Sequence, residues 1–362
     1  MNNAKYIIEN DLFDRDNLIY LLSAEGDERQ YIYQKADEVK QKYVGNKVYF
    51  RGLIEFSNIC AKNCYYCGIR RGNGEVQRYY LNEEEVLQAA EFAWKEGYGS
   101  LVIQSGERKD KWFVDQITQL LEKISERTHS ELGITLSMGE QTEETFIRWK
   151  KAGAERYLIR IEASNSELYH KIHPNDAVHS YQQRLDALKL LQKTGYQTGT
   201  GVMVGLPFQT KTHLADDLLF FKDFDIDMVG MGPYIEHEQT PLYNYKDQLI
   251  PKNERLELSI RMVALLRIMM KDVNIAATTA MQTLDPVGRE KALKAGANVM
   301  MPNITPVRYR EGYLLYEDKP CLDEEAEECK SCLEARIHLA GGKIAWNEKG
   351  NPKHFYNRNK KA

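Results

Sequence analysis

From Val48 onward, short β-prone runs alternate with amphipathic helical runs, and no other feature limits the possible folds as much. The strands read from this pattern are "VYFRGLIEFS", "SLVIQSG", "GITLSMG", "RYLIRIEA", "TGVMVGLP", "DMVGMGPYI", "NIAATTAM" and "NVMMPN". Between them lie helical stretches such as "NEEEVLQAAEFAWKEG", "WFVDQITQLLEKISERT", "SYQQRLDALKLLQKTG" and "NERLELSIRMVALLRIMM". Many of these end near a glycine, the residue that stops helices most readily. Eight βα repeats over roughly 255 residues predict an α/β fold of the (β/α)8 TIM-barrel type. An open doubly wound sheet is the competing topology. Residues 1–46 read as an N-terminal helical extension, with "YIYQKADEVKQKYVG" as its main helix and Gly45 as a stop. Residues 47–306 are read as the barrel and 307–362 as a C-terminal segment.

Several apolar strands end in charged or hydroxyl residues: Glu55 and Ser57, Ser105 and Glu107, Ser137 and Glu140, Arg160 and Glu162, Thr278 and Thr279. Strands of a parallel barrel are covered on both faces, so polar groups there need partners. The C-terminal strand ends are where such barrels build active sites, and these residues are expected to converge on one mouth. Asn82 and Thr142 read instead as helix N-caps. Arg160 and Glu162, two apart on an expected strand, would point to the same face.

The six cysteines fall in two triplets, Cys60, Cys64, Cys67 and Cys321, Cys329, Cys332. Odd-numbered clusters suit metal or iron–sulfur ligation better than disulfides. The first triplet, in "SNICAKNCYYCGIRRGN", has the spacing C-x3-C-x2-C directly after the first expected strand. A zinc site would want a fourth Cys or His nearby, and the stretch from Asn58 to Gln77 has none. A four-iron cluster held by three thiolates leaves one iron open to an exogenous ligand. The second triplet lies in the acidic stretch "CLDEEAEECKSC" and reads as a structural metal site, with His338 available for zinc, or as a peripheral cluster. The net charge of −4 is too small to point to nucleic acid or an anionic membrane. No run reaches membrane-span length, and "MNNAKYIIENDLFDRDN" has no apolar signal region. The chain is therefore read as soluble and cytoplasmic, with basic "NRNKKA" as a solvated tail.

The cysteine motif resembles that of the radical S-adenosylmethionine (SAM) superfamily. "IEFSNICAKNCYYCGIRRGN", "IQSGE", "RYLIRIEASN", "MVGLPFQT", "DMVGMGPYIEHEQTPL", "ATTAM" and "GANVMMPNITP" together resemble the HydE family of [FeFe]-hydrogenase maturases. That resemblance implies a [4Fe-4S] cluster on Cys60, Cys64 and Cys67, and SAM cleaved reductively to a 5′-deoxyadenosyl radical. It implies Tyr66 near the adenine, with Gly201 to Pro207 contacting it. "QSGE", Gln104 to Glu107, would meet the SAM amino group, although Ser105 replaces the family's first glycine there. Glu162 and Arg184 would contact SAM, with Ser137 and Met228 nearby. Arg160, Thr278 and Thr279 would hold an anionic group in the inner cavity. The same resemblance implies a second iron–sulfur cluster on Cys321, Cys329 and Cys332, and an external one-electron donor. It implies an organometallic substrate, a cysteine-bound iron carbonyl cyanide complex, and partner maturases of the HydG and HydF type. A lysine-rearranging methylornithine synthase and a non-enzymatic iron–sulfur carrier are the competing functions. Biotin synthase fits less well, because no strand after Cys67 carries a cysteine.

Overall fold

The computed structural model describes residues 3–360. Its barrel strands are β1 (Lys47–Ser57), β2 (Ser100–Ser105), β3 (Gly133–Ser137), β4 (Ala154–Leu158), β5 (Gln197–Thr200), resumed as β6 (Met203–Val204), β7 (Met228–Val229), resumed as β8 (Gly232–Pro233), β9 (Asn274–Ile275) and β10 (Val299–Met300). They pair in parallel in the order β10-β1-β2-β3-β4-β5-β7-β9. The last gap is spanned by the parallel bridge between Ala276 and Val299 and by the bond from Asn298 N–H to Ile275 O, 2.9 Å. This is the TIM-like α/β barrel that the repeats predict.

Period-two patterning explains what each strand presents. In β1, Arg51, Leu53 and Glu55 face the lumen, whereas Phe50, Ile54 and Phe56 join the apolar core beneath the helices. Val102 and Gln104 of β2 face inward, and Leu101 and Ile103 outward. Thr135 and Ser137 of β3 repeat the pattern against Ile134 and Leu136. Each outward apolar side chain contributes about 1.5–3 kcal/mol by leaving water. The lumen keeps the polar groups.

Helix starts follow local chemistry. Asn82 caps the helix Glu83–Lys95 and forms a reciprocal box with Glu85, and Thr142 caps Glu143–Lys151. Three helices, Ala4–Glu9, Arg15–Ser23 and Gly26–Tyr43, precede the barrel. They dock on the helices Lys211–Asp223 and Lys252–Met269. Lys40 fixes this layer by donating to Leu293 O (2.6 Å), and Arg261 by donating to Leu22 O (2.7 Å).

Three expectations change. The expected strand "RYLIRIEA" ends at Leu158; its neighbour β5 breaks at Gly201, and beyond that point the pairing is reduced to an isolated bridge between Glu162 and Val202. "NIAATTAM" divides into β9 and a helix, Thr279–Leu284. The tail is not merely solvated. A short strand, β11 (Lys343–Ile344), pairs with the start of β1 and leads residues 349–351 under the N-terminal mouth of the barrel. There Gly350 O accepts from Asn274 Nδ2 (2.7 Å) and Arg51 Nη2 (3.2 Å), and Arg156 donates to Asn351. Arg358, in the basic tail, pairs with Asp225 and Asp227, each at 3.0 Å. Among the described residues, no helix is long and apolar enough to cross a membrane.

His354 holds the tail with both ring nitrogens, Nε2 at 2.6 Å from Asp225 and Nδ1 at 2.8 Å from Asp272. Two acceptors require two N–H donors, so the imidazolium is the form that fits. Burial lowers its pKa, but the two carboxylates outweigh burial and raise it above the ordinary 6.5. Asp225 and Asp272 are held below the ordinary 3.8 by His354 and their other donors, against burial. The histidine's contribution is therefore complete below its unfolded value and is lost as pH rises through the raised folded value. The carboxylates' contribution is present above their unfolded value and is lost as pH falls through the depressed one. Limited proteolysis should release the C-terminal helix faster as pH rises above neutrality, and His354→Gln should remove that pH dependence.

Candidate active site

β1 ends at Ser57, and the chain turns across the C-terminal mouth of the barrel as the loop 58–73. Arg78 shapes this loop by donating to the carbonyls of Asn58 (2.7 Å), Ile69 (2.8 Å), Arg70 (2.7 Å) and Asn73 (2.9 Å). The end of β2 packs directly beneath it. A Cβ on Gly106 would lie 2.4 Å from Ile59 O and 2.8 Å from Cys60 Cβ, so only glycine admits the loop. This keeps the one "QSGE" glycine that the motif retains. Ser105 replaces the other and turns its hydroxyl to Ser57 O, 3.3 Å away.

Cys60, Cys64 and Cys67 open into one cavity of about 360 Å³. Tyr66, Gln104, Ser105, Glu107, Ser137, Arg160, Glu162, Arg184, Met228, Thr278 and Thr279 line the same cavity. Residues at or after the ends of five barrel strands, β1, β2, β3, β4 and β9, thus share one cavity with Arg184 from a helix. Met228 lies at its far end: it is the first residue of β7, and its sulfur is 3.1 Å from Arg51 Nη1.

The three thiols form no disulfide. Burial pushes all three up, Cys64 to about 12. The N–H groups of Lys62 and Glu107 oppose this at Cys60 by pointing at its sulfur from 3.4 and 3.3 Å. The three sulfurs do not all lie within 4.8 Å of one another. A single zinc ion with bonds of about 2.3 Å would draw them to about 3.8 Å apart, so the spacing suits a larger, multi-iron group.

Under the loop lies a buried ion network. Lys62 Nζ is 3.1 Å from Glu140 and 3.3 Å from Glu107, and it also donates to Val178 O. Arg184 approaches Glu140 at 2.8 Å and Glu107 at 3.8 Å. Burial raises the Glu140 carboxyl, but Arg184 and Lys62 outweigh it and hold it below the usual range. Burial lowers the Arg184 guanidinium, and Glu140 and Glu107 more than restore it. Gly139, at φ +72°, is needed here, since a Cβ would strike Glu107 Oε2 at 2.1 Å.

Tyr66 stands on a brace of histidine. His173 Nδ1 bonds Tyr169 O at 2.9 Å, which leaves Nε2 to accept from the Tyr66 hydroxyl at 3.2 Å. His179 supports Asn63 N–H in the same way, at 2.8 Å. Neither histidine was singled out by sequence.

Arg160 and Glu162 meet, but not by strand alternation. Glu162 sits at φ +65°, a strained value for a side-chain-bearing residue, and bridges Val202. Arg160 grips its carboxylate with Nε at 2.8 Å and Nη2 at 2.9 Å. The same guanidinium donates to Val202 O (2.9 Å) and Gly230 O (2.5 Å), carbonyls exposed by the breaks in β5 and β7. Four of its five N–H groups are engaged, and one remains. Thr279 Oγ1 accepts from Arg289 at 2.6 Å, so its own hydroxyl hydrogen is free to donate. Thr278 instead donates to Met231 O at 3.3 Å.

Sequence reasoning missed Lys62, Arg51, Tyr313, Tyr316 and Lys319 as lining residues. Lys62 could have been found, as the cation inside the cysteine motif. Lys319 could not; it reaches Glu55 at 2.5 Å from the C-terminal segment.

The second triplet lies outside this cavity. Cys321, Cys329 and Glu324 bring their ligand atoms within 4.8 Å, whereas Cys332 and His338 are not part of that group. Cys332 is exposed, on the solvent side of the helix Ala326–Leu339. A hydrogen bond between the two thiols raises Cys321 and lowers Cys329.

The family model described as the radical SAM superfamily matches residues 54–221. The [FeFe] hydrogenase maturase subunit HydE of Thermotoga maritima is 45% identical over 313 residues, covering 86% of each chain. The chain belongs to the HydE family of radical SAM enzymes. More distant is a 3-methylornithine synthase of Methanosarcina acetivorans, 26% identical over 90% of this chain and 89% of that one. Among solved structures, methylornithine synthase (PylB) superposes with a TM-score of 0.80 at 25% identity, covering 95% of this chain and 97% of that chain. The maturase HydG shares the fold, with a TM-score of 0.80 at 20% identity over 99% of this chain and 80% of that one.

A radical SAM enzyme uses a [4Fe-4S] cluster and SAM, and the residues of this cavity fit both. Three thiols too far apart for one ion suit the cluster. The remaining N–H of Arg160, the Glu162 carboxylate and the Glu107–Arg184 pair offer both charges to a zwitterionic ligand. The ion network is also a stability determinant, because removing one buried cation strands its partners. Lys62→Met should lower stability by about 3 kcal/mol, read from the urea midpoint. Adding Glu140→Gln should recover part of that loss.

Proposed function

We propose that this enzyme acts in assembly of the [FeFe]-hydrogenase di-iron subcluster, on a cysteine-bound iron carbonyl cyanide precursor. The observation that carries the reading is the combination of 45% identity to HydE with three thiols at the mouth of a barrel cavity into which charged strand-end residues converge.

When bound, the cluster and SAM supply a one-electron reduction and a 5′-deoxyadenosyl radical. The chain's own part is to hold, orient and exclude water. Cys60, Cys64 and Cys67 are the proposed cluster ligands. Tyr66 is proposed beside the adenine, its ring fixed by His173. Gln104, Ser105, Glu107, Ser137, Glu162 and Arg184 are proposed to seat SAM, its ammonium toward the carboxylates and its carboxylate toward Arg184. Tyr65, Leu206, Tyr234 and Leu242 pack as an apolar cluster beside Tyr66 and keep water from that side. Arg160 and Thr279 each have one free donor for an anionic group deeper in the cavity, such as a cyanide or carboxylate, with Thr278 beside them.

The wider setting follows from the same reading: an external one-electron donor, and partner maturases of the HydG and HydF type. We place Cys321 and Cys329 in a peripheral metal site, without a catalytic role. The arrangement of two thiols and Glu324 suits a single ion or a small cluster.

Anaerobic reconstitution followed by SAM and dithionite should yield 5′-deoxyadenosine from the parent and none from Cys64→Ser. Equal product from both would remove the cluster from these thiols. Added to an apo-hydrogenase maturation mixture lacking HydE, the enzyme should restore hydrogen evolution. The second reading, a lysine rearrangement, draws on the superposition with methylornithine synthase. Conversion of lysine with no recovered hydrogen evolution would replace the first reading with it. Arg160→Ala should reduce turnover of the substrate more than SAM cleavage, and equal losses would make Arg160 a scaffold residue.

A further inference from the structure

A cluster held at Cys60, Cys64 and Cys67 would take one electron per event from outside the chain. We propose that Ala61, Arg71, Tyr80, Arg108, Lys111 and Trp112 form the docking face for a small acidic one-electron carrier protein. The inference rests on the proposed placement of the cluster at Cys60, Cys64 and Cys67.

Three segments are joined into one face around Cys60. Ala61, exposed, follows Cys60 directly and bonds Glu107 O through its N–H at 2.8 Å. Arg71, exposed, bonds Lys62 O at 2.8 Å. Tyr80 bridges Ser57 and meets Trp112 edge-on, with ring centroids 5.6 Å apart. Both aromatic rings are exposed, Tyr80 by 53% and Trp112 by 44%. The Arg108 guanidinium lies 5.2 Å from the Trp112 ring. Exposed Trp, Tyr and Arg grouped together are the side chains that anchor protein interfaces. Cys60 directly precedes Ala61 in the chain and lines the cavity behind, with its sulfur accepting N–H bonds from Lys62 and Glu107.

Charge selects the partner. The whole chain carries an acid excess, 53 Asp and Glu against 49 Lys and Arg. This face runs the other way. Asp110 pairs with Arg108 at 2.8 Å, and Asp115 is shared by Lys111 at 2.5 Å and Arg148 at 2.6 Å, so three cations meet two carboxylates there. Arg71 forms no ion pair within 4 Å among the described residues, and the Lys111 side chain is 89% exposed. A cationic face with an aromatic centre draws an acidic protein and speeds its encounter. Electron-carrier encounters are small and brief, so a compact patch is enough. In the step itself, the carrier loses one electron and the cluster gains it, with no proton or atom exchanged.

The test uses the reconstituted holoenzyme and a bacterial two-cluster ferredoxin as the probe. Arg71→Glu/Lys111→Glu and, separately, Trp112→Ala are compared with the parent. Calorimetric affinity for oxidised ferredoxin should fall about tenfold in the double variant, and the parent's affinity should weaken with added salt. 5′-Deoxyadenosine formation driven by reduced ferredoxin should fall similarly, while formation driven by dithionite stays within twofold of the parent. Unchanged ferredoxin affinity and rate would overturn the docking face alone. A parent that makes no 5′-deoxyadenosine with dithionite would overturn the cluster placement, and this inference with it.

Discussion

Glu107 and Glu140 sit buried beneath the cysteine loop, and the mouth of the barrel is organised by the need to neutralise them. Lys62 comes from the loop, Glu107 from the end of β2, Glu140 from the end of β3 and Arg184 from a helix between β4 and β5. No pair of these elements is adjacent in sequence. Each of these buried charges is costly without its partners, so the network ties four separate segments to one another. Loop, strand ends and helix therefore hold one geometry. The thiols inherit their positions from it, since Cys60 is flanked by the N–H groups of two of the network's members.

A second constraint operates one strand pair further round. β5 and β7 both break at glycines, and the freed carbonyls of Val202 and Gly230 lie inside the molecule. Unpaired carbonyls there would cost free energy, and one guanidinium, Arg160, satisfies both while gripping Glu162. The strained backbone of Glu162 is tolerated because four hydrogen bonds of Arg160 fix its surroundings. A residue that reads as a ligand-binding cation is thus also the element that lets the barrel wall open.

The barrel and its mouth were legible in the sequence because they depend on local patterns. Alternation in β1, β2 and β3 is a two-residue signal, the caps at Asn82 and Thr142 are three-residue signals, and the thiol spacing is contained in eight residues. The fourteen residues assigned to the cluster, to SAM and to the inner anion line one cavity, whereas of Gly201 to Pro207 only Met203 does. What failed depends on distant partners. The strand through Arg160 and Glu162 looked continuous because the break lies in its neighbour, at Gly201. Lys319 looked like a loop residue because Glu55 is far away in the chain. Arg358 looked solvated because Asp225 and Asp227 are visible only after folding.

The tail that passes under the barrel has a consequence for the order of events in synthesis. Residues 349–351 cap the base of the barrel beneath Arg51 and Asn274, two residues that line the cavity, and they follow every barrel strand in the chain. While the ribosome still holds them, Arg51, Arg156 and Asn274 lack the backbone carbonyls to which they donate. Those donors gain their partners only after the tail leaves the exit tunnel, when His354 can seat between its two carboxylates. Nascent chains and chains clipped near residue 345 would share that state, with polar groups at the base of the barrel left unpaired.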